Sequence, residues 1–257
     1  MTGLDRRRDF AAALVREAGD LALSMRRGLG APEAKNPLDF VTAADHAVER
    51  LVRRRVAEAW GEPVLGEEGG GEPADAIWVV DPIDGTAGYI HGTLRWCVAL
   101  SYVSDGAVQV AATLAAADDR LFLAARGGGA TLNGRPLSVS GLRHGAAPVV
   151  EVGWSGRRDV ELTLGLLRSL TERGMEFRRH GSGALGLAEV AAGLSDGYVE
   201  LHMNPWDCLG GLLLVTEAGG RVNDYLGDGD LVSGNLVAAA TPEIAGSLAE
   251  LLGRPLA

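Results

Sequence analysis

Trp78-Val79-Val80-Asp81-Pro82-Ile83-Asp84-Gly85-Thr86 decides the reading of this chain. An apolar run with the character of a buried strand ends in two carboxylates three residues apart, with Pro82 between them and Gly85-Thr86 behind. Two anionic side chains at the exit of a hydrophobic strand are costly unless something neutralises them. Hard divalent cations, which take oxygen ligands, suit that task. Gly85 then lets backbone amides approach an anion such as phosphate. Taken alone, the stretch also fits a plain turn capped by Asp81 and Asp84. The rest of the chain decides between the two.

The 257 residues predict one large domain or two closely packed halves. An apolar fraction of 47% supplies a substantial core, and 23% charged residues is ordinary for a soluble protein. No apolar run is long enough to span a bilayer, and the charged Met1–Asp9 stretch lacks the apolar centre of a signal peptide. Cys97 and Cys208 make no disulfide framework and read as reduced core thiols, so the expected setting is the cytoplasm, with no membrane partner. The net charge of −10 argues against nucleic acid as a partner. Lys35 is the only lysine and stands just before an acidic cluster.

Apolar spacing predicts a helix over 5–27 and a second that starts at Thr42 or Asp45 and ends at Gly61. Short strands are expected at 64–65, 77–80, 96–103, 107–114 and 121–125, and Gly127-Gly128-Gly129 reads as a turn. From about 147 the pattern alternates: strands at 149–152, 175–178, 196–201 and 236–240, and helices at 159–173, 183–193, 206–218 and 242–253. An antiparallel first half with two leading helices, followed by an alternating second half, predicts a layered α/β (α+β) sandwich.

Acidic residues recur at the edges of these elements: Asp39 to Asp45, Glu67-Glu68, Asp81 with Asp84, and Asp207 in the first turn of an apolar helix. Each has an ordinary reading, as a helix cap for Asp45, solvated loop charges for Glu67 and Glu68, and a helix-dipole partner for Asp207. Their joint occurrence around Gly85-Thr86 outlines metal-assisted phosphate-ester hydrolysis. Scattered carboxylates suit Mg²⁺ better than His or Cys would, so His91, His180 and His202 are read as structural.

With these blocks in hand, the chain resembles the inositol monophosphatase family, part of the lithium-sensitive, magnesium-dependent phosphatases. The resemblance rests on Gly66-Glu67-Glu68, on Trp78 to Thr86, on Trp206-Asp207 followed by Glu217-Ala218-Gly219-Gly220, and on Asp39 to Asp45. It implies an α-β-α-β-α sandwich of the inositol monophosphatase/fructose-1,6-bisphosphatase type. It also implies an N-terminal half, 1–145, with most metal ligands, and a C-terminal half, 146–257, with Asp207 and the substrate loops. By the same resemblance, Glu67, Asp81 and the Ile83 carbonyl would hold one Mg²⁺, and Asp81, Asp84 and Asp207 a second. Glu67 would share a weaker third ion, so two or three ions are expected. Asp45 and Thr86, with Glu67, would activate the attacking water, and the Gly85 and Thr86 amides would bind phosphate. Asp84, Ser182, Gly183, Glu200 and Asp207 would meet substrate hydroxyls, and a homodimer is expected.

Two departures stand out. Where the family usually continues Thr-Asn-Phe and then Phe-Pro, this chain has Ala87-Gly88-Tyr89 and later Leu94-Arg95-Trp96. Gly88 is expected to loosen the turn, and neither change removes a metal ligand. Arg157, Arg158, Arg178 and Arg179 are either surface charges or a second anion site. The expected activity is hydrolysis of a small polyol or sugar phosphate such as inositol 1-phosphate, favoured by Glu200. Histidinol phosphate or a 3′-phosphoadenosine nucleotide is the alternative substrate, and a catalytically silent metabolite-binding relative the alternative class.

Overall fold

The computed structural model describes residues 3–36, 39–142, 146–227 and 229–257, and the side chains of Lys35, Asn36 and Asp39 lie outside that set. Helix α1 (Gly3–Arg26) is followed by a small hairpin, β1 (Glu33–Asn36) and β2 (Asp39–Val41), and by helix α2 (Ala43–Trp60). Thr42 caps α2 in a reciprocal box with Asp45, and Gly61 closes it in the left-handed conformation, as the capping residues predict. Then come β3 (Val64–Gly66), β4 (Ala76–Asp84), the short helix α3 (Thr86–Ile90), β5 (Cys97–Ser104), β6 (Ala107–Ala115), β7 (Arg120–Ala125), β8 (Ala130–Leu132) and β9 (Arg135–Pro136). The later part holds β10 (Val149–Val152), α4 (Val160–Glu172), β11 (Glu176–Arg178), α5 (Gly183–Ala191), β12 (Gly197–Met203), α6 (Pro205–Glu217), β13 (Arg221–Val222), β14 (Asn235–Ala240) and α7 (Pro242–Leu252).

A seven-stranded sheet runs β3-β4-β5-β6-β7-β8-β9, antiparallel except for the β3–β4 pair. A five-stranded mixed sheet runs β11-β10-β12-β14-β13. Period-two alternation sorts the strands into layers. On β4, Trp78 and Val80 face α1 and α2, while Ile77 and Val79 face α5 and α6. On β14, Val237 and Ala239 face α5 and α6 as well, while Ala238 and Ala240 face α4 and α7. Three apolar cores therefore alternate with two sheets, giving the expected α-β-α-β-α order.

β4 corrects the sequence reading. The strand does not stop at the first aspartate but carries both, through Asp84. Three steps from Asp81 to Asp84 face only two from Ala99 to Cys97, a bulge that absorbs Pro82, whose missing N–H would break a regular ladder. The bulge turns the strand end toward the middle layer of helices and keeps it paired. β1, β2, β8, β9, β13 and α3 are too short for their periodicity to register in the sequence.

Trp78 anchors the strand that delivers Asp81. It is fully buried, its Nε1 donates to Glu62 Oε2 at 2.8 Å, and Glu62 takes a fork from Arg7 at 2.6 and 2.7 Å. The Arg7 guanidinium in turn stacks over Trp60 and Tyr102 at 4.1 and 4.0 Å. Trp78→Ala should cost about 3–5 kcal/mol in urea unfolding, from lost burial and the cavity left behind. A loss below about 1 kcal/mol would show that α1 and α2 do not hold this strand.

Candidate active site

The carboxylates converge from three elements. Glu67 follows β3, Asp81 lies in β4 before the bulge, and Asp207 sits in the first turn of α6 with Pro205 at its start. Each offers an oxygen within 4.8 Å of the others. Burial, then Glu67, Asp207 and Asp84, pushes the Asp81 carboxyl well above its usual range. Burial, then Glu67 and Asp84, does the same to Asp207. Three oxygen donors drawn together and disfavoured as bare anions are a donor set that fits a hard divalent cation.

Asp84 is placed differently. Its Oδ2 accepts from Ser182 Oγ and Ala184 N, each at 2.7 Å, and its Oδ1 from Gly183 N at 3.3 Å. It thus rests on the N-terminus of α5, one bulge away from the Glu67, Asp81 and Asp207 triad. Burial raises its carboxyl while these hydrogen bonds lower it. Ser182 and Gly183, expected to meet substrate, here meet Asp84. Ile83 N donates to Asp81 Oδ1 at 2.9 Å, and the Ile83 carbonyl accepts from Thr86 Oγ1 at 3.0 Å.

Gly85 caps α3 at φ +86°, a conformation that disfavours a side chain, and a Cβ there would lie 2.6 Å from the Arg95 carbonyl. The Gly85 and Thr86 amides stand at the start of α3, directly after Asp84. Asp45 is fully buried, and its Oδ2 accepts from Thr42 N at 2.8 Å and Thr42 Oγ1 at 2.6 Å. Glu200 Oε2 accepts from Tyr198 OH at 2.6 Å. Burial, opposed by that bond, pushes the Glu200 carboxyl up to about 7, with Asp84 raising it and Arg179 and Arg157 lowering it. Arg157 and Arg179 thus lie within electrostatic reach of Glu200, whereas Arg178 pairs with Glu176 at 3.1 Å.

Some supporting residues were not singled out from the sequence. Glu49, buried in α2, accepts from Glu68 N and Gly69 N at 2.8 Å each and so fixes the turn that presents Glu67. Its signal was a glutamate on the same helical stripe as Asp45, Val52 and Val56. Cys97 is buried as expected, but its Sγ lies 3.8 Å from Asp84 Oδ2 and 3.7 Å from Ser182 Oγ, so it borders the site rather than a purely apolar core. Glu151, His180 and Glu189 form another close group. Arg95 holds Glu189 at 2.5 Å and approaches Glu151 at 3.8 Å, and Arg120 reaches Glu189 at 3.2 Å. Two guanidiniums already neutralise that group, which makes it a poor cation site. His180 Nδ1, 3.0 Å from Glu151, is hydrogen-bonded as a structural residue would be.

The match to the inositol monophosphatase family model covers residues 4–255. This chain belongs to the inositol monophosphatase family. It is 36% identical to an inositol-1-monophosphatase of Rhizobium meliloti over 86% of each chain, and 35% identical to the Nus factor SuhB of Pseudomonas aeruginosa over 91% of each. Its fold superposes on an IMPase of Thermotoga maritima with a TM-score of 0.86 at 30% identity, covering 96% of this chain and 97% of that one. The chain is a phosphatase of this family, with an acidic group able to hold metal.

A pH signature follows from the raised carboxyls. Asp81 and Asp207 keep their protons to higher pH in the folded, metal-free chain than unfolded, where they titrate near 3.8. Above 3.8, and up to those raised values, the folded state binds more protons, so the metal-free protein loses stability as pH rises. A cation must displace those protons, so any rise in Tm that an added divalent cation gives over EDTA should grow as pH is raised above the ordinary carboxylate range. Thermal unfolding across that rise in pH checks it, and a flat or shrinking increment would count against a cation site here.

Proposed function

We propose that this chain is a Mg²⁺-dependent phosphomonoesterase for a small polyol or sugar phosphate, with inositol 1-phosphate as the type substrate. The observation that carries this reading is the Glu67, Asp81 and Asp207 group standing one bulge away from the Gly85-Thr86 amides. In it, Glu67, Asp81 and the Ile83 carbonyl would hold one ion, Asp81, Asp84 and Asp207 would hold another, and Glu67 would share a third where one is used. Bound magnesium supplies charge cancellation on the phosphate dianion and a lowered pKa for the attacking water. Gly85 and Thr86 would donate their backbone N–H groups to phosphate oxygens. Thr86 and Asp45 orient the water, and Thr86 Oγ1 already holds a fixed direction through the Ile83 carbonyl.

Glu200 supports a hydroxylated leaving group. Its carboxyl is half-buried within electrostatic reach of Asp84 and anchored by Tyr198, leaving acceptor capacity for a sugar or polyol hydroxyl. Ser182, Gly183, Asp84 and Asp207 complete that wall. A relative from Thermotoga maritima, 34% identical over 86% of each chain, is named fructose-1,6-bisphosphatase/inositol-1-monophosphatase, which supports the same substrate class. Among the described residues no helix is long and apolar enough to cross a membrane, in keeping with a cytoplasmic enzyme, and a homodimer completes the proposal. A second reading comes from relatives named Nus factor SuhB at nearly the same identity: the surface also serves a macromolecular partner.

Phosphate release is measured with Mg²⁺ or EDTA on inositol 1-phosphate, glycerol 2-phosphate, fructose 1,6-bisphosphate, histidinol phosphate and 3′-phosphoadenosine 5′-phosphate. The expected result is metal-dependent turnover with a polyol or sugar phosphate preferred. Asp207→Asn should lower kcat about 100-fold, ~2.7 kcal/mol of transition-state stabilisation, with the fold intact by circular dichroism. Preference for histidinol phosphate or the nucleotide would overturn the substrate class. No turnover of any substrate would leave a metabolite-binding or partner-binding role.

A further inference from the structure

Gly88 and Arg95, the two departures from the family pattern, meet in space. A Cβ at position 88 would collide with the Arg95 carbonyl, and one at position 85 would press on the same oxygen. Gly88 therefore does not loosen its turn. It lets the backbone of Arg95 lie flat against the segment that carries the phosphate-binding amides.

The Arg95 side chain leaves that contact and enters the middle layer of helices. Its two terminal nitrogens fork onto Glu189 of α5, at 2.5 Å to Oε1 and 3.0 Å to Oε2. Glu151 Oε2 stands 3.8 Å away and also meets His180 Nδ1 at 3.0 Å. Glu151 and Glu189 are buried on β10 and α5. The opposite end of α5 holds Asp84 through Ser182, Gly183 and Ala184. One helix thus grips the chain at both ends of the β4–β5 connection, at Asp84 by its N-terminus and at Arg95 by Glu189 near its C-terminus, with Gly85 and Thr86 between the two grips. On the outer side, Arg26 of α1 donates to the carbonyls of Gly88, Tyr89 and Thr93.

We infer that Arg95 and Glu189 are positioning residues that clamp the 85–95 segment to α5, setting the Gly85 and Thr86 amides relative to Asp84. The role rests on the phosphate-binding reading given above. Buried ion pairs of this kind add little net stability, and a fixed register is their best-attested use. A fork onto a carboxylate suits this, because it constrains direction as well as distance.

The test uses Arg95→Met, with Arg95→Lys and Glu189→Gln beside it. Arg95→Met leaves Glu189 paired with Arg120 and Glu151 with His180, so no buried acid is stranded. Hydrogen–deuterium exchange is followed in peptides covering 84–96, with β6 and β7 as internal references. Phosphate release gives kcat, KM and the magnesium concentration for half-activation. The clamp predicts at least tenfold faster exchange confined to 84–96. It also predicts kcat down tenfold or more in Arg95→Met, half-activation by magnesium within twofold of wild type, and partial recovery in Arg95→Lys. Glu189→Gln should reproduce the exchange change in the same peptides. Unchanged exchange in 84–96, or kcat within twofold of wild type in Arg95→Met, overturns the proposal. Should the wild type hydrolyse no phosphate ester, the phosphatase reading fails, and the exchange arm alone decides the clamp.

Discussion

Mutual repulsion among carboxylates gathered around the buried Asp81 is the constraint on which the rest of the structure depends. Glu67, Asp81 and Asp207 come from the end of β3, from β4 and from α6, and the fold brings an oxygen of each within 4.8 Å of the others. Nothing in a purely structural core rewards such a meeting, because burial and like charge both oppose ionisation. The surrounding architecture reads as support for it. Trp78 and the Arg7–Glu62 pair hold β4, the bulge at Pro82 aims its end, and Glu49 holds the turn behind Glu67. A cation turns that repulsion into ligation.

Around this centre the layers divide the labour. The seven-stranded sheet contributes the acids at the ends of β3 and β4, while α5 and α6, packed in the middle layer, bring the wall that holds Asp84 and the acid Asp207. Parallel strands β11, β10 and β12 send the loops bearing Arg157, Arg179 and Asn204 toward one edge, where ligand crevices form in open α/β sheets. Glu200, on β12 beside Tyr198, ties that edge to the acidic centre.

Much of this was legible because local patterns carried it. The long helices and strands followed from 3.6- and two-residue periodicity, and the acidic residues were visible because each interrupts or borders an apolar element. The continuation of β4 through Asp84 was hidden, since a proline between two aspartates reads as a stop and only the pairing with β5 shows a bulge. The turning of Asp84 onto α5 joins residues about a hundred positions apart, and the Arg95–Glu189 fork joins residues 94 apart. No local pattern encodes such pairings. Gly88 was misjudged for the same reason: its neighbour is Arg95 in space, not the next residue in the turn.

The most direct test of the central claim is a crystal structure grown with Mn²⁺ and inorganic phosphate, with anomalous maps collected at the manganese edge. Manganese shares the preference of magnesium for oxygen ligands and marks its own position. The account predicts at least one strong anomalous peak bounded by Glu67, Asp81 and Asp207, with phosphate against the amides of Gly85 and Thr86. A map with no peak among those carboxylates, or with manganese only at surface acids, would contradict it.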